Sequence, residues 1–300
     1  MTAHNRRALV CIGDLVEDIV VWSAGAPRAG TDNPARIRRA RGGAASNVAA
    51  FASSLGTSTR FIGRVGDDPV GEALVRDLAV AGVDTMVQRQ GRTGTIVILV
   101  DASGERTMFP DRAAAAQLSD VPDSWISGAE AIHLSAYSLA GPTWSVLRQA
   151  ADLAHAEGAI LTLDASSIAL IDSFGPATFR ALIRSLQPRY VFANGTEADT
   201  GSLRQLATPR TTVVVKNGIE PTEVHFAANR SATVRVPPVE DVRDTTGAGD
   251  AFAAGFLSAV LDHAEDLEAV EAGHNLASRA LIEPGATLTM TTDEKGAVRD

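Results

Sequence analysis

Asp250 closes the segment Asp244-Thr245-Thr246-Gly247-Ala248-Gly249-Asp250, and the residues behind it, Ala251, Phe252, Gly255, Phe256, Ala259 and Val260, repeat with helical spacing. That spacing predicts a helix with one buried face, starting at the small residues. The first turn of a helix has unpaired N–H groups and the positive end of the macrodipole, so a glycine-flanked start can hold a phosphate on its backbone. A carboxylate at that spot is a poor phosphate ligand, because the two anions repel. It serves better as a base that takes the proton from an attacking hydroxyl. The plainer alternative is an ordinary helix start, where Asp complements the dipole and Gly-Ala-Gly lets the helix pack tightly.

Arg41-Gly42-Gly43-Ala44-Ala45-Ser46-Asn47 opens another helix, with Ala45, Val48, Ala49, Ala52 and Leu55 on its inner face. Paired glycines let a ligand approach the backbone, and the Asn47 amide offers hydroxyls a donor and an acceptor. The same residues also suit a plain strand-to-helix turn. Asn194 followed by Glu197 is the expected signature of a capping box. His274, on a C-terminal helix, would ordinarily be a packed or surface histidine.

The elements that must position these groups alternate. Ala8 to Ile12, Thr59 to Ile62, Ala131 to Leu134, Ile160 to Leu163, Tyr190 to Ala193 and Thr212 to Val215 read as buried strands. Helical patterns lie between them at Ala45 to Leu55, Gly71 to Ala81, Thr143 to Ala156 and Phe179 to Leu186. The order implies an α/β fold with a doubly wound, mostly parallel sheet. Segments 17–41 and 93–110 break the rhythm: strand-like runs there are separated only by turns such as Ala26-Pro27 and Ala102-Ser103-Gly104. They are expected to form a small antiparallel β flap over the carboxyl ends of the strands, where open α/β sheets bind ligands. The expectation is a single domain, 1–300, with the two lid segments inserted.

Composition narrows the classes. Apolar residues make up 45% of the 300, enough for a full core. A net charge of -9 argues against nucleic acid or an anionic membrane as partner. The cluster Arg36, Arg38, Arg39 and Arg41 has no aromatic residues among it and reads as a solvated strand face, with Arg41 close enough to the glycine pair to reach a phosphate. No signal-peptide pattern and no bilayer-length apolar run is visible, so a cytoplasmic location is expected. The one cysteine, Cys11, lies in an apolar run and is expected to pack in the core.

Taken together, the glycine pair near the N-terminus and Asp244 to Asp250 near the C-terminus resemble the two signature motifs of the ribokinase-like (PfkB) carbohydrate kinase family. Gly63 to Gly71 is similar to that family's Gly-x-x-Gly-x-Asp segment, and Ala81-Gly82-Val83-Asp84 to its helix-to-flap turn. Asn194-Gly195-Thr196-Glu197 matches the Asn-x-x-Glu element, and Lys216-Asn217-Gly218 the segment lining the nucleotide site. His274-Asn275 and Gly285-Ala286 resemble the helix and loop around the adenine.

The resemblance implies ATP-dependent phosphoryl transfer to a sugar or polyol hydroxyl. Asp250 would be the base, and the amides of Gly247, Ala248 and Gly249 would hold the moving phosphoryl group. Asp18, Gly43 and Asn47 would grip the substrate. Asn194, Lys216, Gly218 and His274 would meet the nucleotide, with Lys295 the other lysine of the chain. Glu197 would hold Mg2+ through water, and Asp244 a monovalent cation such as K+, as its counterpart does in some members. Two places depart from ribokinase itself: Ser135-Ala136-Tyr137 replaces an acidic position, and Asp164-Ala165-Ser166 stands at a family-specific substrate loop.

The substrate stays open at this level. Arg106 and Arg112 flank Met108-Phe109-Pro110 and are placed to read a carboxylate, which keeps 2-keto-3-deoxy sugar acids in play. A nucleoside would need a stacking ring, for which Trp22 and Phe109 are the flap candidates. A non-catalytic sugar-sensing protein on the same scaffold is the alternative from another class. A dinucleotide-binding turn is disfavoured because Phe252 stands where the third glycine belongs. Flaps of this kind often pair across a two-fold axis, and the run Thr95 to Val100 leaves strand surface to cover, so a homodimer is expected.

Overall fold

The structure is a computed structural model that describes residues 9–23, 25–101 and 106–282. Ala8, the turn at Ala102-Ser103-Gly104, Gly285-Ala286 and Lys295 lie outside the described residues.

Among the described residues, thirteen strands run in chain order. They are β1 (Leu9–Ile12), β2 (Val16–Ser23), β3 (Ala35–Gly42), β4 (Thr59–Val65), β5 (Asp84–Arg89), β6 (Thr95–Val100) and β7 (Arg106–Asp111), then β8 (Ala131–Ser135), β9 (Ile160–Asp164), β10 (Tyr190–Asn194), β11 (Thr212–Asn217), β12 (Glu220–His225) and β13 (Ser231–Val234). The α-helices are α1 (Ala44–Ser54), α2 (Pro69–Val80), α3 (Asp123–Ile126), α4 (Thr143–Glu157), α5 (Ile168–Phe174), α6 (Pro176–Leu186), α7 (Gly195–Gly201), α8 (Ala248–Leu261) and α9 (Asp266–Ile282).

The large sheet has nine strands in the order β13-β12-β11-β10-β9-β8-β1-β4-β5. From β11 to β5 every pairing is parallel; β12 and β13 add an antiparallel edge. Strand alternation assigns each side chain to one of two cores. Leu9, Cys11, Phe61, Tyr190 and Phe192 pack towards α1, α2, α8 and α9, whereas Val10, Ile12, Ile62, Val191 and Ala193 pack towards α4 and α6. Burying either set on only one helix layer would leave the other wet, so two layers are required. Cys11 is buried as expected.

Phe256 fixes α8 to the sheet. Its ring lies edge-on to Tyr190 at 4.9 Å and to Phe192 at 5.2 Å. One buried phenylalanine is worth about 2 kcal/mol from area alone, with about 1 kcal/mol more per edge-to-face pair. The helix that carries Asp250 is therefore held by its third turn while its first turn faces the strand ends.

The second sheet, β3-β2-β6-β7, is the flap. Its two hairpins, β2–β3 and β6–β7, are antiparallel as expected, and they join through a parallel contact between β2 and β6. Register puts Asp18, Val20, Trp22, Ile96 and Ile98 on one face and Ile19, Val21, Ile37, Val97, Leu99 and Phe109 on the other. Both faces carry apolar side chains, with Arg36 and Arg38 on the first and Glu17 and Arg39 on the second. The Gly63-to-Gly71 segment braces this lid: Asp68 caps α2 through Gly71 N–H at 2.8 Å and accepts Thr93 N–H at 2.7 Å, just before β6.

Candidate active site

The glycine pair brings β3 against the loop after β1. Gly43 has φ 108°, and a Cβ there would meet the Asp14 carbonyl oxygen at 2.3 Å; one on Gly42 would strike the Asp18 carboxylate at 2.2 Å. Only glycine lets α1 start so close to these acids. Ser46 then turns back to the Gly42 and Gly43 carbonyls, which places Asn47 one turn further on, facing α8.

Asn47 Nδ2 donates to Asp250 Oδ2 at 2.9 Å, while Asn47 Oδ1 accepts from the Arg41 guanidinium at 2.9 Å. An amide with both ends committed cannot flip. Arg41, expected on a solvated face or at a phosphate, is buried and holds this amide instead. Burial pushes the Asp250 carboxyl up to about 7; the Asn47 bond opposes the rise and the charge of Asp164 adds to it. A base with that value is balanced between binding and releasing a proton near neutral pH.

Helix α8 starts at Gly247, whose φ of 75° is left-handed, and no side chain caps it. Its first ladder bond runs from Ala251 N–H to the Gly247 carbonyl at 2.8 Å, and Ala248 N–H makes only a 3.4 Å turn contact with Thr245. The amides ahead of that bond have no helical carbonyl to donate to, which is the geometry an anion cradle needs. Asp244 shapes the entry to the turn by accepting Thr246 N–H at 2.9 Å and Thr246 Oγ1 at 2.7 Å. The same carboxylate pairs with Arg106 of β7, which also donates to Thr245 Oγ1 at 2.8 Å. A guanidinium therefore already meets the charge of Asp244, the residue that the resemblance gave to a monovalent cation.

Below the flap, Asp18 is buried with Oδ1 unpartnered, and burial followed by the charge of Asp14 pushes its carboxyl up to about 7. Asp14 pairs with Arg112 at 2.6 Å and also leaves Oδ1 unpartnered. The Arg112 guanidinium lies 3.5 Å over the Tyr137 ring. Arg112, the residue assigned to the substrate, thus has its charge matched by Asp14. That pairing removes the reason for assigning it to a substrate carboxylate.

The nucleotide-side expectations separate. Asn194 and Glu197 form a complete capping box, with Asn194 N–H to Glu197 Oε2 and Glu197 N–H to Asn194 Oδ1, both at 2.8 Å. The box uses one Glu197 carboxylate oxygen, so the other can take a metal-bound water. Burial, then the charge of Asp164, raises the Glu197 carboxyl. Among the described residues no cluster of three metal-ligating side chains occurs. One buried carboxylate without a cage fits Mg2+, which keeps most of its waters and is shared with phosphates. Gly218 lies in the exposed turn after β11 with φ 65°. Lys216 points inward, donating to Asp164 Oδ2 at 2.9 Å. His274 is buried against Phe252, with Nε2 2.8 Å from Thr222 Oγ1, and burial lowers its pKa. That is the environment of a packing histidine, so the adenine role given to it is not carried further.

Three pairings escaped the sequence: Asp164 with Lys216, Arg106 with Asp244, and Arg41 with Asn47. Asp164 had a signal, since an acid at the carboxyl end of a parallel strand faces the ligand crevice. The other two depend on contacts between residues 138 apart for Arg106 and Asp244, and on burial for Arg41.

An open α/β sheet whose strand ends carry an uncapped helix start, an adjacent carboxylate and a β lid defines a ribokinase-like phosphotransferase scaffold. Comparison with known proteins agrees. The family model described as pfkB family carbohydrate kinase matches residues 6–293. A probable fructokinase-7 of Arabidopsis thaliana is 29% identical, over 99% of this chain and 90% of its own. A fructokinase of Klebsiella pneumoniae is 30% identical, over 84% of each chain. Among solved structures, adenosine kinase from Sinorhizobium meliloti superposes with a TM-score of 0.84 at 25% identity, covering 97% of this chain and all of that one (100%). A probable sugar kinase protein from Rhizobium etli shares the fold, with a TM-score of 0.85 at 23% identity, over 97% of this chain and 98% of its own. The chain belongs to the pfkB family of carbohydrate kinases, and it is a kinase. That membership sets aside the dinucleotide-binding and sugar-sensing alternatives. No described helix is long and apolar enough to cross a membrane.

Proposed function

We propose that this kinase transfers the γ-phosphoryl group of ATP to a hydroxyl of a small neutral sugar, with Asp250 as the base. The observation that carries the reading is the Asn47–Asp250 bond at the mouth of the uncapped α8 turn. Asp18 and Asp14 each present a buried carboxylate oxygen that lacks a partner, and sugar hydroxyls are the donors that would satisfy them. The acceptor hydroxyl held there faces Asp250, which takes its proton as the oxygen attacks. The cradle amides of Gly247, Ala248 and Gly249 then meet the charge on the transferred group, a contribution of about 100-fold or more per well-aimed donor. Bound MgATP would supply the phosphoryl group and, through the ion beside Asn194 and Glu197, charge neutralisation.

Three contacts favour a neutral sugar over the alternatives. Arg112 is matched by Asp14, which leaves a sugar-acid carboxylate poorly received. Arg36 covers the Trp22 ring at 5.3 Å, and register turns Phe109 to the face opposite Asp18, so neither is open to stack a nucleobase in the pocket. The names of the fructokinase relatives point the same way. The outer lid face, still apolar and half-exposed, supports a homodimer covering it. A coupled ADP-release assay over D-fructose, D-ribose, 2-keto-3-deoxy-D-gluconate and adenosine tests the substrate, with Asp250→Asn as the blank. Turnover of adenosine or the keto acid above both sugars would overturn the neutral-sugar assignment.

A further inference from the structure

The mechanism just given leaves unused a largely buried ion pair at the ligand end of the sheet, its side chains 17% and 14% exposed. Register places Asp164 beside Phe192 and Lys216 beside Asn194, so the ends of β9, β10 and β11 bring the acid, the capping box and the lysine into one row. Asp164 is fixed from two sides: Oδ2 accepts Lys216 Nζ at 2.9 Å and Oδ1 accepts Ser166 N–H at 2.9 Å. Ser166 holds φ 70°, a left-handed conformation that costs a non-glycine residue energy, and the turn it makes aims the carboxylate. The ammonium anchored this way lies 3.3 Å from where a Cβ on Gly249 would sit, which puts it beside the start of α8. A lysine is a point charge on a flexible stem, and without an anchor it would not stay there.

A buried ion pair is a weak source of stability, since apolar residues of equal volume often do as well. Its location offers a better reason for its presence. We propose that Asp164 is a positioning residue for phosphoryl transfer, which holds the Lys216 ammonium against Gly249 so that the cation meets the charge of the transferred group. The proposal rests on the kinase reading above and deepens it. Lys216 acts on the phosphoryl group; Asp164 acts through Lys216. The pairing fixes the ammonium before the group moves, so its charge is already in place where the transferred group passes and needs no reorganisation.

Asp250 reports on both members. The groups that face it are Asn47 from α1, Arg41 from β3, Asp14 after β1, Asp164 from β9 and Lys216 from β11. The charge of Asp164 raises its carboxyl and that of Lys216 lowers it, so removing each should move the acid limb of the rate profile in opposite directions.

The experiment compares Asp164→Asn, Lys216→Met and the double variant. Their folding is checked by thermal melts, with Asp164→Ser as the substitute should the asparagine variant not fold. ADP release is measured with the best sugar of the panel, and ATP and AMP binding by calorimetry. Asp164→Asn should lower kcat by about 100-fold, weaken ATP binding by no more than Lys216→Met does, and shift the acid limb downward. Lys216→Met should lower kcat, shift the limb upward, and weaken ATP binding by about tenfold with AMP binding unchanged. The double variant should be no slower than Lys216→Met. Asp164→Asn with kcat within about threefold of the parent, or a double variant as slow as the product of the two singles, would overturn the proposal. Calorimetry reads the placement without turnover: equal ATP affinity for Lys216→Met and the parent would refute it. Equal ADP release from the parent and Asp250→Asn would instead sink the kinase mechanism.

Discussion

Asn47 Nδ2 and Asp250 Oδ2 are 2.9 Å apart although 203 residues separate them, and this bond joins the substrate-side helix α1 to the anion-side helix α8. It also sets the acidity of the base. Asn47 stabilises the ionised form of Asp250 against the burial that pushes it up to about 7. With the base half protonated near neutrality, kcat/KM for the sugar should fall by about tenfold per pH unit below about 7. Asn47→Leu removes the stabilising bond, so the acid limb should move to higher pH as well as the rate dropping. A limb that stays in place or moves to lower pH in that variant would show that Asp250 is not the titrating group.

The same acids should make the ligand-free protein less stable as pH rises. Asp18 and Asp250 both titrate near 7 when folded, against 3.8 unfolded, because burial disfavours their charge. A raised carboxyl contributes stability that is fully present below the unfolded value and is lost as pH climbs through the folded one, here between about 4 and 7. Asp250→Asn removes the charge, so it should raise Tm at pH 8 by roughly 2 °C or more and change little at pH 4.5, where the parent is mostly protonated. Thermal melts of both proteins at the two pH values decide it. An equal effect at both would mean that packing, and not charge burial, accounts for the difference.

How far these residues could be read from sequence depends on the range of the interaction. The parallel core was legible because β1, β8 and β10 are short runs dominated by apolar residues and α4 is amphipathic. The glycine pair and the α8 turn were legible because glycine at an element junction has a local meaning. The antiparallel edge β12 and β13 was not, since its residues, such as Glu220, Glu223 and His225, show no apolar alternation and are held by pairing to β11. Charge partners were least legible. Lys216 and Arg112 were visible as cations, but that Asp164 and Asp14 meet them is a matter of strand order, which no local pattern encodes.

Arg106 gives a prediction about ions. Its guanidinium meets Asp244 and Thr245 at the entrance to the anion turn. A site with a fixed cation at that carboxylate should not need a diffusible one. ADP release by the parent should therefore agree within about twofold in K+ and in tetramethylammonium at equal ionic strength. Arg106→Ala leaves Asp244 without this partner, and it should both slow turnover and gain an activation by K+ that the parent lacks. Severalfold activation of the parent by K+ would show that the guanidinium yields its place to the ion.

The lid carries the last prediction. Ile37 and Phe109 are 62% and 55% exposed, and register places them on one face with Ile19, Val21, Val97 and Leu99. A contiguous apolar sheet face of this size is unfavourable in water unless another surface covers it. A second copy is the economical cover, because two-fold symmetry matches the same apolar face to itself. Sedimentation at micromolar concentration should give twice the 31.3 kDa chain mass, and Ile37→Asp with Phe109→Asp should give the single-chain mass. Since β2 carries Asp18 on its other face, loosening the lid should also raise KM for the sugar more than it lowers kcat. A parent protein that sediments as one chain would exclude a second copy as the partner for this face.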